Sequence, residues 1–244
     1  RRRTRRRTGT RAGRPAAVGE MIDTRCNEGT PVAKTSKRET PLRLLTSVPS
    51  KHYGRLVVRY PFQTDGDFAH AYEFAAKRVA STFSGQPVDD LLLLPFLTLY
   101  RQAFELQLKH TIRSLVRVRM NYVDGPSAEL AEAVSDRRFK DNNELGHDLY
   151  RLFNEVRRHF DALKLPDAIP SSVEAIISSL HEADSGGTAF RYAGILPDTQ
   201  EHADFPDLAK VLDDGFRTLT LVIDYCEGAY EASPTLSELE SDFY

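Results

Sequence analysis

The chain has 244 residues, 41% of them hydrophobic, and a formal net charge of −2, which suits one helical domain with polar ends. No run approaches the roughly 18 to 20 uninterrupted apolar residues of a membrane-spanning helix, and no apolar stretch near the start has the form of a secretory signal. Cys26 and Cys226 make neither a metal-ligand spacing nor a disulfide framework, and no phosphate-binding glycine loop or dinucleotide fingerprint occurs, so a cytoplasmic protein with no metal and no cofactor is expected.

Arg1 to Arg14 holds eight arginines and no acid, which leaves −10 on the rest of the chain. From Asp198 to Tyr244, twelve acidic residues stand against Lys210 and Arg217. The body therefore lacks the excess basic charge by which a general polyanion binder meets phosphates. The arginine-rich leader has nothing to bury and is expected to be disordered to about residue 50. Three readings of it compete: a nucleic-acid-binding arm, a targeting peptide, and a stretch lying ahead of a natural start at Met21. The expected organisation is a leader over 1–50, a single helical domain over 51–232 and an acidic tail over 233–244.

In chain order, Arg55 to Phe62 reads as a short extended segment ending at Pro61. Asp67 to Phe83 reads as a helix with Phe68, Tyr72, Ala75, Ala76 and Val79 on one side. The long helix runs from Val88 to about Tyr122, with Pro95 either kinking it or moving its start to about Leu94. A short helix over Ser127 to Val134 follows. Asp148 to Leu163 is strongly amphipathic, with Leu149, Leu152, Phe153, Val156, Phe160 and Leu163 on one face. Ser171 to Glu182 places Val173, Ile176, Ile177 and Leu180 inward. The last long helix, Pro206 to about Ala229, carries Leu208, Val211, Leu212, Phe216, Leu219 and Ile223. Helices dominate this pattern, so the fold class is an all-α bundle, with a short turn near Leu236 to Leu239 in the tail.

Polar residues interrupt the pattern at three places. Arg101 falls inside the apolar stripe of the long helix, with Glu105 one turn on and Lys109 beyond. A charge there must be paired or must line a cavity. It is either a half-buried intrahelical pair with Glu105 or an arginine facing a polar cavity that holds an anionic group such as a phosphate. Asp148 is placed to cap the helix beginning at Leu149. The preceding His147 is either a packing histidine or an acid/base group with a carboxylate neighbour. Arg191, between Phe190 and Tyr192, is either pinned against the bundle near the same cavity or paired with a nearby acid.

The segments Leu99-Tyr100-Arg101-Gln102-Ala103-Phe104-Glu105-Leu106-Gln107-Leu108-Lys109, Gly146-His147-Asp148-Leu149-Tyr150-Arg151-Leu152 and Ala189-Phe190-Arg191-Tyr192 resemble those of bacterial HEPN-like helical proteins. The resemblance covers roughly residues 88–192. It implies a helical fold that dimerises through its helices. Many HEPN proteins are metal-independent ribonucleases of toxin–antitoxin, abortive-infection and CRISPR-associated defence systems. Their signature is an arginine, four to six residues, then a histidine. None of the seven histidines here meets it; the nearest approach is Lys140, with six residues between it and His147.

What the resemblance then implies is a non-catalytic binding or regulatory module of a bacterial defence or stress system. It would hold RNA, a nucleotide or a partner protein, away from any membrane, through Arg101, Glu105, Lys109, His147, Asp148, Arg191 and Tyr192. Two alternatives stand beside it. One is a divergent ribonuclease with His147 as acid/base and Arg101, Lys140 or Arg191 stabilising the transition state. The other is a structural helical adaptor whose acidic C-terminal region is the partner surface.

Overall fold

Thr64 sets the start of the first helix. Its hydroxyl accepts from the Asp67 N–H at 3.3 Å, and the Asp67 carboxylate accepts from the Thr64 N–H at 2.7 Å, a reciprocal capping box. In this computed structural model, which describes residues 63–191 and 202–241, helix α1 therefore spans Asp65–Ala80. Every described residue belongs to the unit Tyr53–Tyr244. The expectations for the leader, for Arg55 to Phe62 and for Tyr192 lie outside the described residues. The buried face of α1 is made of Gly66, Ala69 and Ala76. Phe68 and Tyr72, expected inward, are each 38% exposed, because α1 approaches its neighbour through its small residues.

A short 3-10 helix of two turns, Pro87–Leu92, leads into α2, Leu93–Val118. Pro95 sits in the first turn of α2, where its missing N–H has no helical partner to lose, so it marks the start of the helix. At the other end Arg119–Val123 forms a π-helical turn, closed by the Asp124 N–H on the Arg119 carbonyl at 2.8 Å. Ser127 caps α3, Ala128–Ala133, and Ser135 caps α4, Asp136–Lys140. The latter is too short for a periodic signal and was not anticipated. Then come α5, Leu149–Ala162, α6, Ser171–Ala183, a tight turn at Ala189–Arg191, and α7, Phe205–Tyr230. The acidic tail contains α8, Leu236–Ser241. The described residues contain no strand, and the fold is an all-α bundle.

Helix α2 is the axis of the bundle and packs against α1, α5 and α7, while α6 bridges α5 and α7. Rings weld α2 to α7: Phe96 meets Phe205 with centroids 4.7 Å apart, and Phe104 meets Phe216 at 5.7 Å, edge-on arrangements that aromatic pairs favour. The whole expected apolar stripe of α5 is buried. On α7, Leu212, Phe216, Leu219 and Ile223 are buried but Val211 is 51% exposed, since it falls beside the inward arc. Cys226 is fully buried in this layer, and burial, with Glu227 nearby, pushes its thiol up to about 12, so it behaves as a small apolar side chain.

Phe104 is completely buried at the α2–α7 seam. Phe104→Ala is expected to destabilise the fold by about 3–5 kcal/mol, measured as a lowered urea midpoint with an unchanged slope.

Candidate functional site

Arg101 is 4% exposed, and its guanidinium donors are directed at three segments of chain. Nη1 donates to Glu105 Oε2 at 3.0 Å, one turn along α2. Nη2 donates to the His147 carbonyl at 2.6 Å, just before α5. Nε donates to the Asp184 carbonyl at 3.1 Å and lies 3.3 Å from Asp184 Oδ2, at the end of α6. Lys109 adds a second cation, with Nζ 2.8 Å from Glu105 Oε1. Two cations, Arg101 and Lys109, thus face two carboxylates, Glu105 and Asp184, and the buried charge balances.

Each segment is delivered by local chemistry. The turn before His147 is held by Arg151, whose Nη1 donates to the carbonyls of Asn142, Asn143 and Glu144 at 3.0–3.2 Å. Asp148 caps α5 by accepting from the Arg151 N–H at 2.9 Å. Asp184 closes α6, and its Oδ1 accepts from the Thr188 and Ala189 N–H groups at 2.7 and 3.0 Å. That folds the Ser185–Gly187 loop over the guanidinium. Gly187 lies at φ +71°, and a Cβ there would stand 2.9 Å from Arg101 Nη1, so both its backbone and its space require glycine. Arg191 donates to the Gly187 carbonyl, adding a clamp from above.

His147 is the exposed member of the group. Its side chain is 56% exposed, and Nδ1 lies 2.8 Å from Glu105 Oε1. Burial alone would raise the Glu105 carboxyl, but Lys109 and then His147 outweigh it and hold the group below the usual carboxylate range. An ionised Glu105 only accepts, so His147 carries the proton on Nδ1 and keeps Nε2 as the nitrogen able to accept one. The carboxylate behind His147 is thus Glu105, 42 residues away, and not its sequence neighbour. Asp148 faces Arg151 and His181 instead, at 3.3 and 3.5 Å.

The structure therefore brings together Arg101, Glu105, Lys109, His147 and Arg191, with Asp148 on the adjoining cap. Asp184 completes the group and was missed from sequence; its signal was an acid at a helix end directly before Ser-Gly-Gly. A second knot on α5 was missed as well. Glu155 Oε1 accepts from Arg138 at 2.9 Å and from Arg158 at 2.8 Å. The fully buried His159 ring bridges Arg119 at 2.8 Å to Glu155 at 3.3 Å. Burial works to raise the Glu155 carboxyl, and hydrogen bonds from His159, Arg158 and Arg138 hold it well below its usual range. Its signal was an acid and a histidine one turn apart on the buried face of α5. Among the described residues no group of His, Cys, Asp and Glu is arranged to hold a metal ion.

Comparison of the chain with protein-family models, curated proteins and solved structures returns no match.

Gly187→Ala is expected to destabilise by at least about 1–2 kcal/mol from its left-handed backbone alone, whereas Gly186→Ala, whose Cβ meets nothing closer than 3.6 Å, stays within about 0.5 kcal/mol of wild type; paired thermal melts separate the two. Glu105 gives a pH test. Its folded-state pKa lies below the unfolded value, so its stabilisation is complete above the ordinary carboxylate pKa and is lost as pH falls through the lowered one. Melts from neutral pH downward are expected to show a shallower acid decline in Glu105→Gln, from a lower starting Tm.

Proposed function

We propose that this chain is a non-catalytic, HEPN-like helical module that binds or regulates a partner in a bacterial defence or stress system. The observation that carries the reading is the state of Arg101. A phosphoryl-transfer site needs a cation able to reach the developing charge on phosphorus-bound oxygens. Arg101 is sealed, with its donors on Glu105, Asp184 and the His147 carbonyl, and Lys109 is held on Glu105. What meets solvent is an imidazole together with the half-exposed side chains of Arg151 and Tyr150, a polar surface suited to partner contact. The HEPN-like part of the reading rests on the sequence resemblance of the α2 and α5 segments and on the missing arginine–histidine signature.

One observation favours the ribonuclease alternative. A buried carboxylate holding Nδ1 of a solvent-exposed histidine is the pose of an acid/base dyad. RNA cleavage in the presence of EDTA separates the two readings. The wild type is expected to leave single-stranded RNA as intact as His147→Ala does. Cleavage by the wild type that is lost in His147→Ala, with the mutant's melting temperature unchanged, would install the ribonuclease instead.

A further inference from the structure

The exposed end of the Arg101 group is a histidine in a setting that the other described histidines lack. His70 and His110 line a cleft that α1, α2 and α7 border beside Gln107, and His202 lies on the surface. None of these three has a carboxylate hydrogen-bonded to its ring among the described residues. His159 has Glu155, but its ring is fully buried. His181 lies 3.5 Å from Asp148 without a hydrogen bond. Among the described residues only His147 joins an open ring, 56% exposed, to a carboxylate 2.8 Å from Nδ1.

The residue is anchored twice. Its carbonyl accepts from Arg101 Nη2 at 2.6 Å. Its ring is tied to Glu105, which is 1% exposed and itself bonded to Arg101 and Lys109. Holding a reacting group in one pose removes an entropic cost from its reaction. An ionised carboxylate on Nδ1–H also raises the basicity of Nε2, and it stabilises the positive charge that the ring gains when Nε2 forms a bond. These are the properties of a nucleophile. The surroundings tolerate an anion. His147 directly precedes Asp148, the N-cap of the 14-residue α5, and a helix N-terminus favours added negative charge. The carboxylate of Asp148 lies against Arg151, and the buried charges beneath His147 balance. Arg101 and Lys109 are both engaged, so the chain is suited to receive a charged group and not to catalyse its transfer.

We propose that His147 is a phosphoryl acceptor, taking the group on Nε2 from a donor of the phosphoramidate class, to which the phosphohistidine of another protein belongs. Nε2 gives its lone pair to phosphorus and the donor's phosphorus–nitrogen bond breaks. The leaving group, protonated in the donor, departs with that pair as a neutral amine or imidazole. The ring becomes a cation against the Glu105 carboxylate, with its proton kept on Nδ1. The added dianion alters the charge of the surface assigned above to partner contact, but the step rests on the histidine–carboxylate pair and not on that reading.

Incubation of the full chain with phosphoramidate at neutral pH tests it, with the acid-labile adduct mapped by peptide mass spectrometry under alkaline conditions. His147 is expected to be modified roughly tenfold or more faster than the exposed His70 and His202 of the same molecules, a barrier difference of about 1.4 kcal/mol or more. Phosphorus NMR is expected to show the Nε2 isomer at His147, since Nδ1 is engaged. Glu105→Gln, assayed below its melting temperature, is expected to bring His147 down to the rate of His70. The proposal is overturned by equal rates at His147, His70 and His202, by the Nδ1 isomer at His147, or by an unchanged rate in folded Glu105→Gln. The comparison within the wild type needs no variant. RNA cleavage is a separate readout, so this proposal and the partner reading can fail independently.

Discussion

A guanidinium inside a helical bundle must satisfy its donors before the chain around it can settle. Arg101 does so by drawing on three stretches far apart in sequence: its own helix through Glu105, the entry to α5 through the His147 carbonyl, and the exit from α6 through Asp184. The α5 and α6 junctions, each shaped by its own local bonds, are tied to one another and to α2 by one side chain. Removing a single partner of a buried pair costs about 3–5 kcal/mol, a large share of the roughly 5–15 kcal/mol that stabilises a typical domain. Replacing the whole group with apolar residues need not destabilise at all. The network is thus better understood as fixing where the junctions lie than as a source of net stability.

Periodicity carried well where one long helix met one apolar layer. The stripe of α5 is buried as its spacing predicts, because six apolar positions on one arc leave a single way to pack. The spacing carried only in part where helix contact is made by small residues. On α1 the expected side included Ala76, which is buried, and Phe68 and Tyr72, which are exposed, while Gly66 and Ala69, not expected there, are buried as well. The intrahelical partner of Arg101 was legible because Glu105 is one turn away. Asp184, 83 residues distant, was not, since nothing local ties an acid at one helix end to an arginine in another helix. The same limit hid the true carboxylate behind His147.

The two polar faces of α2 are in opposite states. Around Arg101 every charge has a counterpart and the loop through Gly187 closes over it. Around Gln107 the buried amide has no hydrogen-bond partner among the described residues, and the carboxylates lining the neighbouring cleft outnumber its one arginine. Both histidines at these faces, His147 and His110, lie against a neighbouring helix segment, but only the first has a carboxylate directly on its ring.

The π-helical turn at Arg119–Val123 gives α2 a phase slip. One extra residue in a turn rotates everything after it by about 100° relative to an uninterrupted α-helix. Before the slip, α2 feeds its stripe steadily toward α5 and α7. Within it, Arg119 reaches His159 on α5, Tyr122 stacks on Tyr230 of α7 with centroids 5.2 Å apart, and Asn121 lines a cleft against α7. The helix acts here like a gear that skips a tooth. Deleting one residue in this turn would change the neighbours of the side chains that remain, so the spatial assignment of the turn that ends the helix is written in residue count as much as in residue type.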